Sequence, residues 1–205
     1  MKKTLFLSIF VTLLAFSVNA QDRSTGDTSA IIQPAKPRSS PMAITFYKKD
    51  DIYIKIVYSQ PLRRGRQIFG SLVPFGKVWR TGANEATELT TTRDIRLGGK
   101  NLKAGTYTLF SIPEKDKWTI IVNTDLGQWG EYKYDAAKDL FRFEVPVQTN
   151  PKEIHEAFTI KFAETATGAD IVLNWDDTKV IVPATFGGTN NAVPSGNSVK
   201  KKKSK

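Results

Sequence analysis

The chain predicts an all-β domain, an antiparallel β-sandwich or jelly-roll-like barrel of about eight to nine strands, carrying one long ordered loop rich in Arg, Gly and Trp. Three observations predict it. Between Ala43 and Phe186 apolar residues recur with period two. The runs are too short to be helices. Turn signals separate them at spacings of about a dozen residues, as in all-β domains.

The elements follow in order. Ile52, Ile54, Ile56 and Tyr58 alternate with Tyr53, Lys55 and Val57. Glu88 to Leu97 reads as a further strand or a bent pair, and Gly98-Gly99 as a tight turn. Ala104-Gly105 opens a second turn. Thr106 to Ile112 is β-forming and stops at Pro113, Glu114 to Lys117 forms a charged hairpin loop, and Trp118 to Asn123 returns. Phe141, Phe143, Val145 and Val147 alternate with Arg142 and Glu144, and Phe158, Ile160 and Phe162 with Thr159 and Lys161. Ile171, Leu173 and Trp175 lead through Asp176-Asp177 into a returning strand, Thr178 to Val182. Helix is expected only at Tyr134 to Leu140, where Asp135 is placed to cap Ala136-Ala137-Lys138.

Segments 1–20, 21–42 and 187–205 differ from this domain, 43–186. Residues 1–20 read as an export signal: Lys2 and Lys3, an apolar run from Leu5 to Phe16, and small Ala20 at the cleavage point. A membrane anchor is the alternative, but the run is short for a span and no basic stop-transfer cluster follows. Residues 21–42 are rich in Ser, Thr, Pro and Gly and read as a flexible leader. Residues 187–205 read as a disordered basic tail. The predicted location is therefore the periplasm or outside the cell, without a transmembrane segment. The chain has no cysteine, which excludes disulfides, thiol catalysis and thiolate metal sites.

The net charge of +10 is concentrated at the ends. Lys2, Lys3, Lys200 to Lys203 and Lys205 are seven of the positive charges, and without them +3 remains. A nearly neutral domain lacks the electrostatic footprint of a nucleic-acid binder. The run Lys200 to Lys205 offers contact with an anionic envelope surface; a solubilising tail is the plainer reading.

Between Gln60 and Thr87 the chain reads QPLRRGRQIFGSLVPFGKVWRTGANEAT. It is too apolar for a solvated linker, with Ile68, Phe69, Leu72, Val73, Phe75, Val78 and Trp79, and too long for a plain turn. Any site is expected here. The run RGRQIFGSLVPFGKVWRTGANEAT, with LKAGTYTLFSIP, WTIIVNTDLGQWGEYKY and LNWDDTKVIVP after it, resembles the family called domain of unknown function 2911, over Ile44 to Pro183. That family consists largely of exported proteins of Bacteroidetes and their relatives. The resemblance implies a mostly β domain, an exported location and no established cofactor; it implies no activity. The leader and the lysine tail are additions to the family pattern.

The candidate ligand-binding residues are Arg64, Arg66, Trp79, Arg80, Asn84, Glu85 and Trp129. Arginine forks pair with carboxylates, sulfates and phosphates, and glycines such as Gly65 and Gly82 let a backbone approach a ligand. Against this, Arg63, Arg64, Arg66 and Arg80 would pair internally with Glu85, Glu88 or Asp94. No phosphate-loop spacing is present. Trp79 with Arg80, Asn84 and Glu85 suits a sugar or a planar polar ligand; the alternatives are a core Trp79 and an Asn84 that closes a turn. Trp129 is read as a cover over one end of the sheets, and otherwise as a second aromatic facing Trp79. Glu85 is the one candidate acid or base, with no partner carboxylate marked beside it. His155, the sole histidine, is read as a surface residue, Asp176-Asp177 as hairpin chemistry, and Trp118 and Trp175 as core. No metal or cofactor is expected. Three functions compete: a module binding a small polar or anionic ligand such as a saccharide or envelope fragment, a structural envelope protein, and a hydrolase using Glu85 with Arg66 or Arg80.

Overall fold

The computed structural model describes residues 37–186. The expected export signal, residues 21–36 of the expected leader and the basic tail lie outside the described residues. Within them the chain is all-β, in twelve antiparallel strands.

One sheet runs in the order β1 (Met42–Lys49), β2 (Ile52–Ser59), β3 (Thr87–Thr91), β6 (Gly105–Pro113), β7 (Lys117–Asn123) and β8 (Asp139–Thr149). The other centres on β10 (Gly168–Asp176), flanked by β9 (His155–Thr165) and β11 (Thr178–Val182). Strand β12 (Ala184–Thr185) continues along the β11 side of β10 and pairs with β4 (Ile95–Leu97), which pairs with β5 (Lys100–Leu102). Strand β8 is the seam: its first part pairs with β7, and Val147 to Thr149 pair with β11. The path ends on β1 and β5 and does not close into a barrel, so of the two expected architectures the sandwich is the one formed.

The period-two pattern explains the core. Ile54, Ile56 and Tyr58 of β2 point inward and are buried, while Tyr53, Lys55 and Val57 face the other way. Leu89, Ile120 and Val122 join them from the same sheet. Phe158, Ile160, Ile171, Leu173, Val180 and Val182 meet them from the second sheet in one cluster.

The strand count exceeds the expected eight to nine for physical reasons. The Glu88 to Leu97 stretch breaks after Thr91, and its halves, β3 and β4, join different sheets. Strands β5 and β12 are only three and two residues long, too short to show a period. Strand β1 carries apolar residues on both faces, so its alternation is masked. The expected helix is a single 3-10 turn, Ala136–Lys138. Asp135 does cap it, accepting from the Ala137 N–H at 2.9 Å, but Asp139 is already extended and opens β8.

Gly168 fixes the junction that carries β12. A Cβ there would lie 2.1 Å from the Ala184 carbonyl oxygen and 2.8 Å from the Thr185 Cα. Those are backbone atoms and cannot swing aside. Gly168→Ala is expected to push β12 off β10 and cost about 2 kcal/mol, the range of an overpacked site; a denaturant melt with unchanged midpoint would refute this.

Candidate functional site

The 60–86 loop is stitched to the sandwich by its own backbone. Next to β2, Leu62 pairs with Ala157 on the outer edge of β9, with Arg63 N–H donating to Glu156 O (2.6 Å) and Phe158 N–H to Pro61 O (2.9 Å). Further on, Trp79 pairs with Ser111 through bonds of 2.7 and 2.9 Å, and Gly76 N–H donates to Pro113 O. Strand β3 reaches only to Leu109 on its neighbour β6, and the loop satisfies the edge of β6 beyond that point. Finally Glu85 pairs with Trp129, and Ala86 N–H donates to Gln128 O.

Packing holds what the hydrogen bonds position. Ile68, Val73 and Trp79 join the main core. Trp79 is only 7 % exposed; it stacks on Trp175 (centroids 5.9 Å, planes 17° apart) and meets Trp118 and Phe158 edge-on. Its indole N–H donates to Gly82 O at 2.9 Å. On the outer face of the first sheet, Ala86 packs with Phe110 and Ile121 under Val78 and Tyr134. The chain bends between these two roles at buried Thr81, whose φ of 50° is unusual for a β-branched residue. Its carbonyl accepts from the Thr87 hydroxyl (2.7 Å), and its hydroxyl lies 3.0 Å from that of Ser111.

Above Trp79 the loop leaves a cleft of about 370 Å³. Leu72, Val73, Pro74, Val78 and the edges of Trp79 and Trp175 line it with apolar surface. Four cationic side chains line it too, those of Arg64, Arg66, Lys77 and Arg80, and a single acid, Glu131. Arg80 is fully committed. Its fork grips Glu131 at 2.7 and 3.2 Å, it donates to Asn84 O, and it lies over the Tyr132 ring, 5.2 Å from the centroid. Partial burial opposes its charge, but the Tyr132 hydroxyl and the Glu131 carboxylate outweigh that and keep it protonated. Arg66 is anchored from behind, with its guanidinium donating to Arg63 O and Leu62 O. Its remaining N–H groups make no hydrogen bond among the described residues. Arg64, held at φ 49°, donates to Ser39 O at 3.3 Å. None of Arg64, Arg66 and Lys77 forms an ion pair among the described residues.

The internal pairing expected for the arginines occurs only in part and with other acids. Arg80 takes Glu131, and Arg63 reaches Asp176 at 2.8 Å. Glu88 instead accepts from Gly127 N–H, and Asp94 pairs with Lys103. Trp79 sits at the base of the cleft as a core residue, with its face covered by Trp175. Trp129 does not line the cleft; it is 59 % exposed and does not face Trp79. The expected core positions of Trp118 and Trp175 hold. Lys77 is a cleft residue that sequence reasoning passed over, because one lysine in an apolar run carries no spacing signal.

The other missed element is a strap. Residues 38–41, read from composition as leader, form one wall of the cleft through Ser39 and Ser40. Arg38 Nη1 donates to both carboxylate oxygens of Glu85 at 2.6 and 2.8 Å, Asn84 donates to Ser40 O at 3.2 Å, and Gln60 N–H donates to Pro41 O at 2.8 Å. Glu85 is thereby a latch. Partial burial pushes its carboxyl up, but the Arg38 guanidinium, its own backbone N–H and the Ser59 hydroxyl outweigh that, and the net shift is downward from 4.5. The latch is therefore complete above that ordinary value and is lost as pH falls through the lowered one. An exposed ion pair of this kind contributes at most about 1 kcal/mol. Glu85→Gln is expected to speed tryptic cleavage after Arg38 roughly fivefold at neutral pH, with acid doing the same to the parent chain in a pH-tolerant protease assay; equal cleavage of variant and parent would show that the pair does not hold the strap.

A family model described as Protein of unknown function (DUF2911) matches residues 40–184. No curated protein and no solved structure matches the chain.

Proposed function

The chain belongs to the DUF2911 family of proteins of unknown function, and from that premise we propose that it is an exported binding module whose cleft takes a small ligand with an anionic group and an apolar body. One observation carries the reading. Arg64, Arg66 and Lys77 line one cleft above an apolar base and form no salt bridge among the described residues; Glu156 Oε1 accepts from the Arg64 backbone N–H at 2.7 Å but does not engage its guanidinium. Like charges gathered at one opening cost free energy, and an anion entering between them would relieve it. Among the ligands expected from sequence, a phosphate-, sulfate- or carboxylate-bearing envelope fragment suits these groups better than a neutral sugar, because Trp79 is only 7 % exposed and has no open face for a sugar to stack on. Export rests on the signal-like first twenty residues.

Catalysis has less support. A hydrolase built on Glu85 needs a carboxyl able to hold a proton near neutral pH, and the Arg38 guanidinium favours the ionised form. A structural role has one observation in its favour, the tight packing of the loop into the core, but that role does not require three cations without salt bridges among the described residues at one opening.

The test is a thermal-shift panel of aryl and alkyl phosphates, sulfates, carboxylates and neutral saccharides. A ligand that prefers the folded state raises the melting temperature. Anionic amphiphiles are expected to raise it, and neutral saccharides to leave it unchanged. A rise with saccharides alone would overturn the anionic reading, and no rise with any class would favour the structural one.

A further inference from the structure

Strand β1 ends the first sheet and β9 ends the second, and the two approach each other where Glu164 accepts from the Tyr47 hydroxyl and from Lys49. An end strand presents unpaired N–H and C=O groups, which a folded protein either shields or pairs. Strand β9 is shielded: Arg63 N–H donates to Glu156 O, Phe158 N–H to Pro61 O, and Ile160 N–H to the Tyr58 hydroxyl. Strand β5, at the far end of the path, is three residues long. Strand β1 has neither protection. It is eight residues long, contains no proline, and pairs with β2 in unbroken register from Met42 to Lys49.

Gln60 N–H donates to Pro41 O at 2.8 Å, so the odd-numbered residues of β1 turn their backbone groups toward β2. Those of Met42, Ile44, Phe46 and Lys48 point the other way and meet no strand among the described residues. The same residues carry their side chains on the outer face of the sheet, where Met42, Ile44 and Phe46 are 52, 62 and 62 % exposed. The open edge and the exposed apolar row therefore coincide, as at a strand that another strand continues.

We propose that this edge pairs with β1 of a second copy of the chain, antiparallel about a two-fold axis at Thr45. Charge selects both the occupant and the direction. On the outer face the basic residues lie toward one end of β1: Lys48 itself, and Lys55 opposite Phe46. The acids lie toward the Met42 end: Glu88 opposite Val57, and Glu85 against the Ser59 hydroxyl at 3.4 Å. A two-fold axis sets the basic end of each copy beside the acidic end of the other. Lys48 then falls opposite the partner's Met42, in the row that leads to the partner's Ser59 and Glu85. Ile44 falls opposite the partner's Phe46, a β-branched and aromatic cross-strand pair. The two Lys48 residues stand ~20 Å apart, beyond the Debye length, whereas a parallel pairing would set them side by side. The first sheets of the two copies become one continuous sheet, with Met42, Ile44 and Phe46 of both at its centre.

The test is sedimentation velocity of the purified protein over a concentration series. A monomer–dimer equilibrium between micromolar and millimolar concentration is expected, because an edge pairing is a small interface. The Ile44 N–H points outward, so Ile44→Pro removes an edge donor and leaves the bonds to β2 in place. It is expected to weaken the dimer roughly tenfold or more. The chain has no cysteine, so Thr45→Cys supplies a lone thiol on the axis. Facing residues of this kind have Cα atoms about 4.5 Å apart, within the reach of a disulfide. Under mild oxidation Thr45→Cys is expected to cross-link roughly tenfold faster than Lys48→Cys, and it reads the edge even should Ile44→Pro fail to fold. Three outcomes overturn the proposal. One is a monomer at millimolar concentration. Another is a dimer that Ile44→Pro leaves intact and whose Thr45→Cys variant does not cross-link, which would place the contact elsewhere. The third is Lys48→Cys cross-linking as fast as Thr45→Cys, which would mean a different alignment.

Discussion

Trp79→Ala is expected to destabilise the domain by about 3–5 kcal/mol, the range for emptying a buried aromatic site. The indole touches four other core aromatics, Phe69, Trp118, Phe158 and Trp175, at centroid separations of 5.2 to 6.0 Å, and its N–H is satisfied by Gly82 O. Removing it opens a cavity among rigid rings that cannot collapse to fill it, and it frees the loop that presents the cleft. For a domain of this size each kcal/mol corresponds to ~2–4 °C, so the melting temperature should fall by roughly 10 °C or more. Trp129→Ala is the control: the ring is mostly exposed, and its loss should stay within about 0.5 kcal/mol. Chemical denaturation of both variants with unchanged m-values checks the pair. Equal stability of the two would mean that Trp79 does not anchor the loop.

The second large effect concerns affinity. For an anion identified by the thermal-shift panel, Arg66→Ala is expected to remove a charge-assisted hydrogen bond contributing about 1.5–3 kcal/mol, a loss of tenfold to more than a hundredfold. Its guanidinium is already held by Arg63 O and Leu62 O, so little entropy is spent in orienting it. Arg64→Ala should cost less, because a single long bond to Ser39 O, 3.3 Å, orients Arg64 less firmly, and Lys77→Ala least, because an ammonium on a flexible stem is not oriented. The triple variant should lose binding with little change in its own melting temperature, since the loss of the bonds to Arg63 O, Leu62 O and Ser39 O is offset by the removal of three like charges. Arg80→Ala behaves differently, because it leaves Glu131 without its fork and so lowers stability first. Titration calorimetry separates the cases; affinity untouched by Arg66→Ala would remove the cleft from consideration.

The paired strands were legible because burial on one face writes itself into alternate residues. Ile54, Ile56 and Tyr58, or Ile171, Leu173 and Trp175, signal a strand without any knowledge of its partner. Strand β1 was hidden for the converse reason: with Ile44 and Phe46 turned to solvent, both of its faces are apolar and no period survives. Strand β12 has only two residues and exists because Gly168 lets it approach β10. The family, too, was legible, since the order and wording of four long motifs depend on no contact.

At the candidate site the residue types were readable and their partners were not. The expected acids for the arginines were neighbours in sequence, Glu85, Glu88 and Asp94. The acids found were Glu131 and Asp176, brought in by a loop and a hairpin 51 and 113 residues away from Arg80 and Arg63. Arg38 lay in a stretch whose composition says leader, yet its guanidinium closes on Glu85.

By itself the sequence determined the all-β class, the main strands, the long loop as the place of interest and the family, because each follows from local periodicity, turn chemistry or motif order. Only the tertiary structure decided that Trp79 belongs to the core, that Trp129 stands in solvent, that Arg80 is spent on Glu131, and that Arg64, Arg66 and Lys77 are left to line a cleft. Those outcomes depend on which surfaces meet when two sheets pack, and that is a property of distances through space, which spacing along a chain does not encode.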